Sequence, residues 1–223
     1  MNLILFKEDE CSPREGEKNV SISIPLTDKR AEHLVRILKA DESSRFDAVI
    51  INGRIGKAVI SAVSESLMNI TFFPEYSPPG LFPITLIIGL SRPQTVKKIL
   101  KEVTAMGAAK FILTGTERGE KGYSKSSALR QNTVYRLLLE GAQQAFCTSI
   151  PEIEIKNSVK EALEKASEFR KSSRLISLDN YEAAISLTDY WKNSKSPHNG
   201  QEKTVLAVGS ERGWSDGERK AFR

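Results

Sequence analysis

The sequence predicts an α/β chain in two parts: a small N-terminal β-barrel, then a largely parallel sheet layered with helices. Three observations predict it. Residues 1–75 read as short strands around one helix, with an Asn52-Gly53 hairpin signal; strands at that spacing without alternating helices suit a small barrel. Residues 84–223 alternate apolar strands with amphipathic helices, the pattern of parallel strands joined by crossovers. Between them, Pro74–Pro83 holds four prolines and a glycine. Such a stretch continues neither a helix nor a central strand, so residues 76–83 are expected to be a linker.

In the first part, Asn2–Phe6 and Val20–Ile24 are β-rich, the second alternating Val20, Ile22 and Ile24 with Ser21 and Ser23. Thr27 is expected to cap the next helix, whose Ala31, Leu34, Val35 and Leu38 form one buried stripe. Phe46–Ile51 and Ile55–Val63 flank Asn52-Gly53, two residues that tolerate positive φ, and Leu67–Phe73 is a further strand.

In the second part, Ile84–Gly89 is almost continuously apolar, as a strand buried on both faces must be. Pro93 starts a helix at the position where its missing N–H is no loss; Gly107 ends that helix. Strand Lys110–Thr114, a polar loop over 116–128, helix Leu129–Phe146 and strand Pro151–Ile155 follow. Helix Ser158–Lys171, strand Arg174–Leu178, an irregular stretch over 192–203 and strand Thr204–Gly209 complete the pattern.

Composition narrows the function classes. With 39% apolar and 27% charged residues in 223, the chain buries a core without disulfides. Cys11 and Cys147 are expected to be reduced thiols in the cytoplasm, and two cysteines with two histidines make no metal cluster. No apolar run approaches the roughly 20 residues of a membrane span, and the N-terminus lacks the pattern of a signal peptide. A net charge of +5 favours a polyanionic partner such as RNA.

The stretch Val205–Glu218 is the most informative. A buried strand ends at Gly209, a short turn with Gly213 follows, and Ser215 with Glu218 forms an S-x-x-E capping box that opens a helix. Ligands in open α/β sheets sit beyond the C-terminal strand ends, and glycines there let backbone approach a ligand. The alternative is an ordinary strand-to-helix turn.

This stretch resembles the G-P-E-G-G-F-S-x-x-E signature of the uridine-N3 16S ribosomal RNA methyltransferases, the small-subunit RNA methyltransferase E family of the knotted SPOUT class. It reads Gly209-Ser210-Glu211-Arg212-Gly213-Trp214-Ser215-x-x-Glu218, with Ser210 for proline and Arg212 for glycine, as in a divergent member. Lys101–Ala108 is similar to the family's K-A-T-E-L-G-V helix end, Thr116-Glu117-Arg118 to its T-E-R element, and Glu140–Gln144 to E-A-x-E-Q; Pro151-Glu152-Ile153 matches the segment after it. His33–Lys39 looks like H-x-x-R-V-L-R, and Cys147 stands where the family usually has an arginine.

The resemblance covers nearly the whole chain. It implies a PUA-like β-barrel over 1–75 and a SPOUT trefoil-knot domain over 84–223. It also implies S-adenosylmethionine as methyl donor and a homodimer acting on the 16S rRNA of the small ribosomal subunit. The family continues beyond the helix opened by Ser215 with a further loop and a closing helix that complete the knot, so the sequence is expected to be a shortened version of such a chain.

Uracil N3 is a weak acid, so a base or a cation that stabilises the uracil anion would help its methylation. Arg118, just past a strand end, is the first candidate to face the acceptor; otherwise it is a solvated loop arginine. Arg136 and Gln144 share a long helix and are the other substrate-side candidates, with Glu140 an i, i+4 partner for Arg136. Leu178, Gly209, Glu211 and Gly213 are candidates to hold the donor, mostly through backbone groups. His33, Arg36, Lys97 and Lys121 are candidates for RNA contact, or are solvated positions on their faces.

Two rivals remain open at this point. An open Rossmann methyltransferase should carry a glycine-rich loop after its first strand, where this chain has Gly89-Leu90-Ser91-Arg92-Pro93. A non-catalytic RNA-binding or assembly protein with a degenerate knot domain is the other.

Overall fold

The computed structural model describes residues 3–13, 18–167, 173–193 and 202–223, and the chain divides into two compact units. The first comprises Met1–Gly80 with Leu139–Ile150, the second Leu81–Leu138 with Pro151–Arg223.

The first unit is a six-stranded sheet of β1 (Leu3–Phe6), β2 (Cys11–Pro13), β3 (Val20–Pro25), β4 (Arg45–Ile50), β5 (Ile55–Val63) and β6 (Leu67–Tyr76), ordered β1-β4-β5-β6-β3-β2. All neighbours are antiparallel except β1 and β4. Alternation sends Ile22, Ile24, Phe46, Ala58, Ile60, Met68, Ile70 and Phe72 to one face, where they form a core with Phe6, Ala31 and Leu34. Each large apolar side chain buried there contributes about 1.5–3 kcal/mol. Asn52 takes φ +59 in the β4–β5 turn, as its place before Gly53 requires.

Three local expectations are corrected by the structure. The helix cap is Asp28 rather than Thr27: the Asp28 carboxylate accepts the Arg30 N–H at 2.8 Å. A carboxylate at that place answers free N–H groups more strongly than a hydroxyl. The helix itself, α1 (Lys29–Glu32), gives way to a π turn over His33–Ile37. Pro74 also lies within β6 rather than beyond it, at a register shift where the ladder needs no donor from it.

The second unit holds five parallel strands, β7 (Phe82–Gly89), β8 (Ala108–Thr114), β9 (Glu152–Lys156), β10 (Ser173–Leu178) and β11 (Lys203–Val208), in the order β10-β11-β7-β8-β9. Helices α2 (Pro93–Ala105), α3 (Gln131–Gln144), α4 (Val159–Ser167), α5 (Leu187–Asn193) and α6 (Asp216–Ala221) connect or follow them. Pro93 occupies the first turn of α2, and Gly107 just past that helix has φ +84. Ile87, Ile112, Val205 and Ala207 pack against Val159, Ala162 and Ala166 of α4 and against Trp214. The α4 helix ends at Ser167, with residues 168–172 outside the described ones, and α5 was not foreseen. Residues 194–201, most of the stretch expected to be irregular, also lie outside the described residues.

The strand order places a switch point between β7 and β11. The chain leaves β7 for β8 on one side, and β11 arrives on the other, so a crevice opens at their C-terminal ends.

Candidate functional site

Three segments meet at that edge. They are the end of β7 at Gly89, the loop after β8 from Gly115 to Glu120, and the turn after β11 from Gly209 to Ser215. Gly89 is required by the closeness of the other two: a Cβ there would lie 2.5 Å from the Ser210 nitrogen and 2.9 Å from Thr116 Cγ2. Gly209 folds back so tightly that its Cβ would lie 3.0 Å from the Gly213 Cα. Gly213 has φ +66, and a Cβ on it would meet nothing within 4 Å. The turn therefore closes upon itself on one side and faces open space on the other.

Side chains hold the turn at both flanks. Glu211 accepts the Arg92 N–H at 2.9 Å, tying the turn to the N-cap of α2. Partial burial would raise the Glu211 pKa. The Arg92 and Glu211 N–H groups, the Ser91 hydroxyl and the Arg92 charge outweigh burial and hold it below the usual carboxylate value. Trp214, almost fully buried, donates from Nε1 to the Leu178 carbonyl at 3.0 Å and packs at a 60° tilt against Phe222, 4.9 Å between centroids. The capping box expected from the sequence is present: Ser215 Oγ accepts the Glu218 N–H at 3.1 Å, and Glu218 accepts the Ser215 N–H at 2.8 Å.

The β8 loop is fastened to the same turn. Glu218 accepts the Glu117 N–H at 2.9 Å, and the Glu117 carboxylate accepts the Ser215 hydroxyl. Thr116 Oγ1 lies 3.3 Å from Ser210 Oγ, and Arg212 donates to Glu120 at 3.0 Å. Ser210 and Arg212, which stand where the family signature has proline and glycine, both reach this loop.

Arg118 sits in that loop, its side chain partly exposed and 3.8 Å from Asp216. Leu178 and Val208 end neighbouring strands in register, both partly exposed, and make an apolar wall beside the turn. A hollow of about 280 Å³ opens beside the β8 loop, bordered by Thr116, Lys121, Ser124, Lys156 and Asn157. The structure thus brings Arg118 together with Leu178, Gly209, Glu211 and Gly213. Arg136 lies on the part of α3 in the second unit, whereas Gln144 ends α3 within the first. His33 is in the π turn, and Arg36 pairs with Glu32 at 2.8 Å. Lys97 is on α2, and Lys121 borders the hollow.

Several residues of this site escaped sequence reasoning. Asp179 and Arg219 form a buried pair at 2.6 Å, with Arg219 also 4.9 Å from the Tyr181 ring centroid, which locks α6 to the end of β10. Their separation of 40 positions leaves no local signal. Glu117 and Glu218 stood inside recognised motifs, but their mutual contact depends on the fold.

A family model described as an RNA methyltransferase domain matches residues 78–223. Ribosomal RNA small subunit methyltransferase E of Treponema pallidum is 32% identical over 225 residues, an alignment covering 100% of this chain and 80% of that protein. Ribosomal RNA small subunit methyltransferase E 1 of Borreliella burgdorferi is 30% identical over 220 residues, covering 99% of this chain and 84% of that protein. The crystal structure of ribosomal RNA small subunit methyltransferase E from Neisseria gonorrhoeae bound to S-adenosyl methionine shares the fold. Its TM-score is 0.72 at 17% identity, covering 100% of this chain and 85% of that one.

Proposed function

From the premise that the chain belongs to the ribosomal RNA small subunit methyltransferase E family, we propose that it methylates N3 of a uridine in 16S rRNA, using S-adenosylmethionine held at the Gly209–Gly213 turn. One observation carries the reading. The open side of that turn, the Leu178–Val208 apolar wall and the Arg118 loop all belong to one sheet edge, where Glu218 fastens the turn to the loop and Trp214 ties the turn to the Leu178 carbonyl.

The residues present suit such a donor. Backbone groups of Gly209 and Gly213 would meet its polar atoms, and Leu178 with Val208 would face its flat adenine. Glu211 would keep the turn in place through Arg92 rather than reach the donor with its own carboxylate. Bound there, S-adenosylmethionine supplies a methyl group on a sulfonium, a good leaving group.

The chain's own contribution is positioning and electrostatics. Uracil N3 gives its proton to solvent water before its bond to the methyl carbon forms, and the negative charge of the anion is shared by N3, O2 and O4 until methyl transfer removes it. Arg118 is a cation on this edge suited to stabilise that charge; Arg136 and Gln144, both on α3, are the other residues proposed to act on the acceptor side. An N3 edge in a duplex is covered by its partner, so the acceptor is an unpaired or flipped uridine.

The same reading makes the first unit a PUA-like barrel that grips RNA through His33 and Arg36, and gives Lys97 and Lys121 of the second unit RNA contacts of their own. It makes the second unit a trefoil-knotted SPOUT domain, and the enzyme a cytoplasmic homodimer. Among the described residues, no helix is long and apolar enough to cross a membrane.

The test is to incubate the protein with methyl-labelled S-adenosylmethionine and small ribosomal subunits, digest the RNA and identify the labelled nucleoside. Label in 3-methyluridine is expected. Label in another nucleoside, or none, contradicts the proposal.

A further inference from the structure

Consecutive residues pin the turn after β11 to two different neighbours. Glu211 reaches the start of α2, accepting the Arg92 N–H at 2.9 Å. Arg212 reaches the β8 loop. Its Nη2 donates to the Glu120 carboxylate at 3.0 Å, and its Nη1 to the Arg118 carbonyl at 3.5 Å, near the outer limit of such a bond. Two positions earlier, Ser210 Oγ lies 3.3 Å from Thr116 Oγ1, at the other end of the same loop.

Both contacts use side chains that the G-P-E-G-G-F-S-x-x-E signature does not offer. Proline has no hydroxyl and glycine no side chain, so a chain with those residues at 210 and 212 could form neither contact. Arg212 keeps a backbone outside the left-handed region, so it carries its side chain there without strain.

The loop between the two contacts is tight. The Gly119 N–H bonds to the Thr116 carbonyl at 3.0 Å, and a Cβ on Gly119 would lie 2.7 Å from Thr116 Oγ1. Arg118 stands inside this bend. Holding Thr116 at one end and Glu120 at the other therefore fixes the backbone that carries the Arg118 side chain.

We infer that Arg212, seconded by Ser210, is a positioning residue for methyl transfer: through Glu120 and the Arg118 carbonyl it sets the Arg118 loop against the donor turn. The inference rests on Arg118 facing the acceptor, as proposed above. Arg212 and Glu120 are both exposed, so their pair adds little to stability. Its effect is on alignment, where a small misplacement of a reacting group is costly in rate.

A bare charge that draws RNA phosphates to the site is the other role open to Arg212, and the two roles part at Glu120. Among the described residues, Glu120 pairs with no other cation. If Arg212 positions the loop, removing Glu120 harms the reaction as much as removing Arg212. If Arg212 acts as a charge, removing Glu120 releases it and the reaction improves.

The test is a double-mutant cycle on the full chain, with Arg212→Ala, Glu120→Ala and the two combined, using small ribosomal subunits and S-adenosylmethionine. In each single variant kcat should fall about fivefold, the upper scale for an exposed ion pair, and in the double variant no further. The KM for subunits and the donor affinity from calorimetry should stay within about twofold of wild type. Arg212→Lys, which still reaches Glu120, should recover most of the loss. A Lys160→Gln control on α4 removes a cation elsewhere and should keep the wild-type kcat.

The rate counts label in any nucleoside, so a different methylated atom leaves the cycle readable. Amide hydrogen exchange of the free protein needs no reaction: Gly119 should exchange about fivefold faster in either single variant than in wild type. A wild-type chain that transfers no methyl group defeats the proposed function, and Gly119 exchange still reports whether Arg212 holds the loop. Losses that multiply to about twenty-fivefold in the double variant overturn the inference. So does a gain in rate for Glu120→Ala, a donor affinity that falls with kcat, or Gly119 exchange equal to wild type. Faster Gly119 exchange with an unchanged kcat overturns it as well.

Discussion

Glu218 and Glu117 are joined across 101 positions of sequence: Glu218 Oε1 accepts the Glu117 N–H at 2.9 Å, while the Glu117 carboxylate accepts the hydroxyl of Ser215, the N-cap of α6. Glu218 is thus both the far half of a capping box and the tie between the donor turn and the loop that carries Arg118.

Removing that tie should be costly. Glu218→Ala strands two N–H groups in a buried place, each worth about 1–3 kcal/mol when unsatisfied. The variant should lose about 3 kcal/mol in denaturant unfolding and bind S-adenosylmethionine more weakly. Glu218→Gln, which keeps one acceptor, should lose about 1 kcal/mol. A Glu218→Ala protein as stable as wild type would mean that the tie contributes nothing.

Gly89→Ala puts a methyl 2.5 Å from the Ser210 nitrogen. Backbone must shift on one side, which costs about 1–3 kcal/mol. Because the turn itself has to move, donor affinity should fall at least about tenfold, the equivalent of roughly 1.4 kcal/mol. Calorimetric titration checks it; wild-type affinity would show that the turn is not held from Gly89.

Trp214→Phe deletes the Nε1 bond to the Leu178 carbonyl and also leaves a void where the second ring of an almost fully buried indole was. About 2–4 kcal/mol of stability should be lost, roughly 1 of it from the bond and the rest from the void. Thermal unfolding measures it, and a variant as stable as wild type would show that Trp214 does not anchor the turn.

Arg118→Gln should lower the methylation rate about a hundredfold, the scale of losing one donor to a developing anion, while S-adenosylmethionine affinity stays at the wild-type value. Equal losses in donor affinity would assign Arg118 to donor binding or to the fold.

Acid should destabilise the second unit. Hydrogen bonds from Lys110 and Lys156 hold Glu154 down to about 2, against 4.5 in a free side chain. The Arg219 bond lowers Asp179, and Glu211 is lowered as well. These folded-state values lie below the unfolded ones, so their contribution is full above about pH 4.5 and lost as pH falls toward 2. Unfolding free energy should be level from pH 8 to 5 and fall below 4.5, less steeply in Glu154→Gln. A Glu154→Gln curve parallel to wild type would remove that residue from the account.

What could be read in the sequence was local. Ser215 and Glu218 are three positions apart, so their box is visible as spacing, and Pro93, Gly107 and Asn52-Gly53 carry their own backbone preferences. The apolar run of β7 marks a strand buried on both faces, and the parallel layer follows from alternation. What stayed hidden was pairwise and distant. Nothing near Gly89 announces Ser210 as its neighbour, and nothing near Asp179 announces Arg219. Thr27 and Asp28 both suit a cap, and only the Arg30 geometry distinguishes them. The π turn after α1 was beyond reach because Leu34, Val35 and Leu38 fit an ordinary helix equally well.

The central claim is that the methyl donor sits at the open side of the Gly209–Gly213 turn. Nuclear magnetic resonance of the 15N-labelled protein titrated with S-adenosylmethionine tests it most directly. The amides of Gly209 and Gly213 should shift first and furthest, while those of β5 and β6 hold still. Saturable binding that leaves both glycine amides unmoved would contradict the claim.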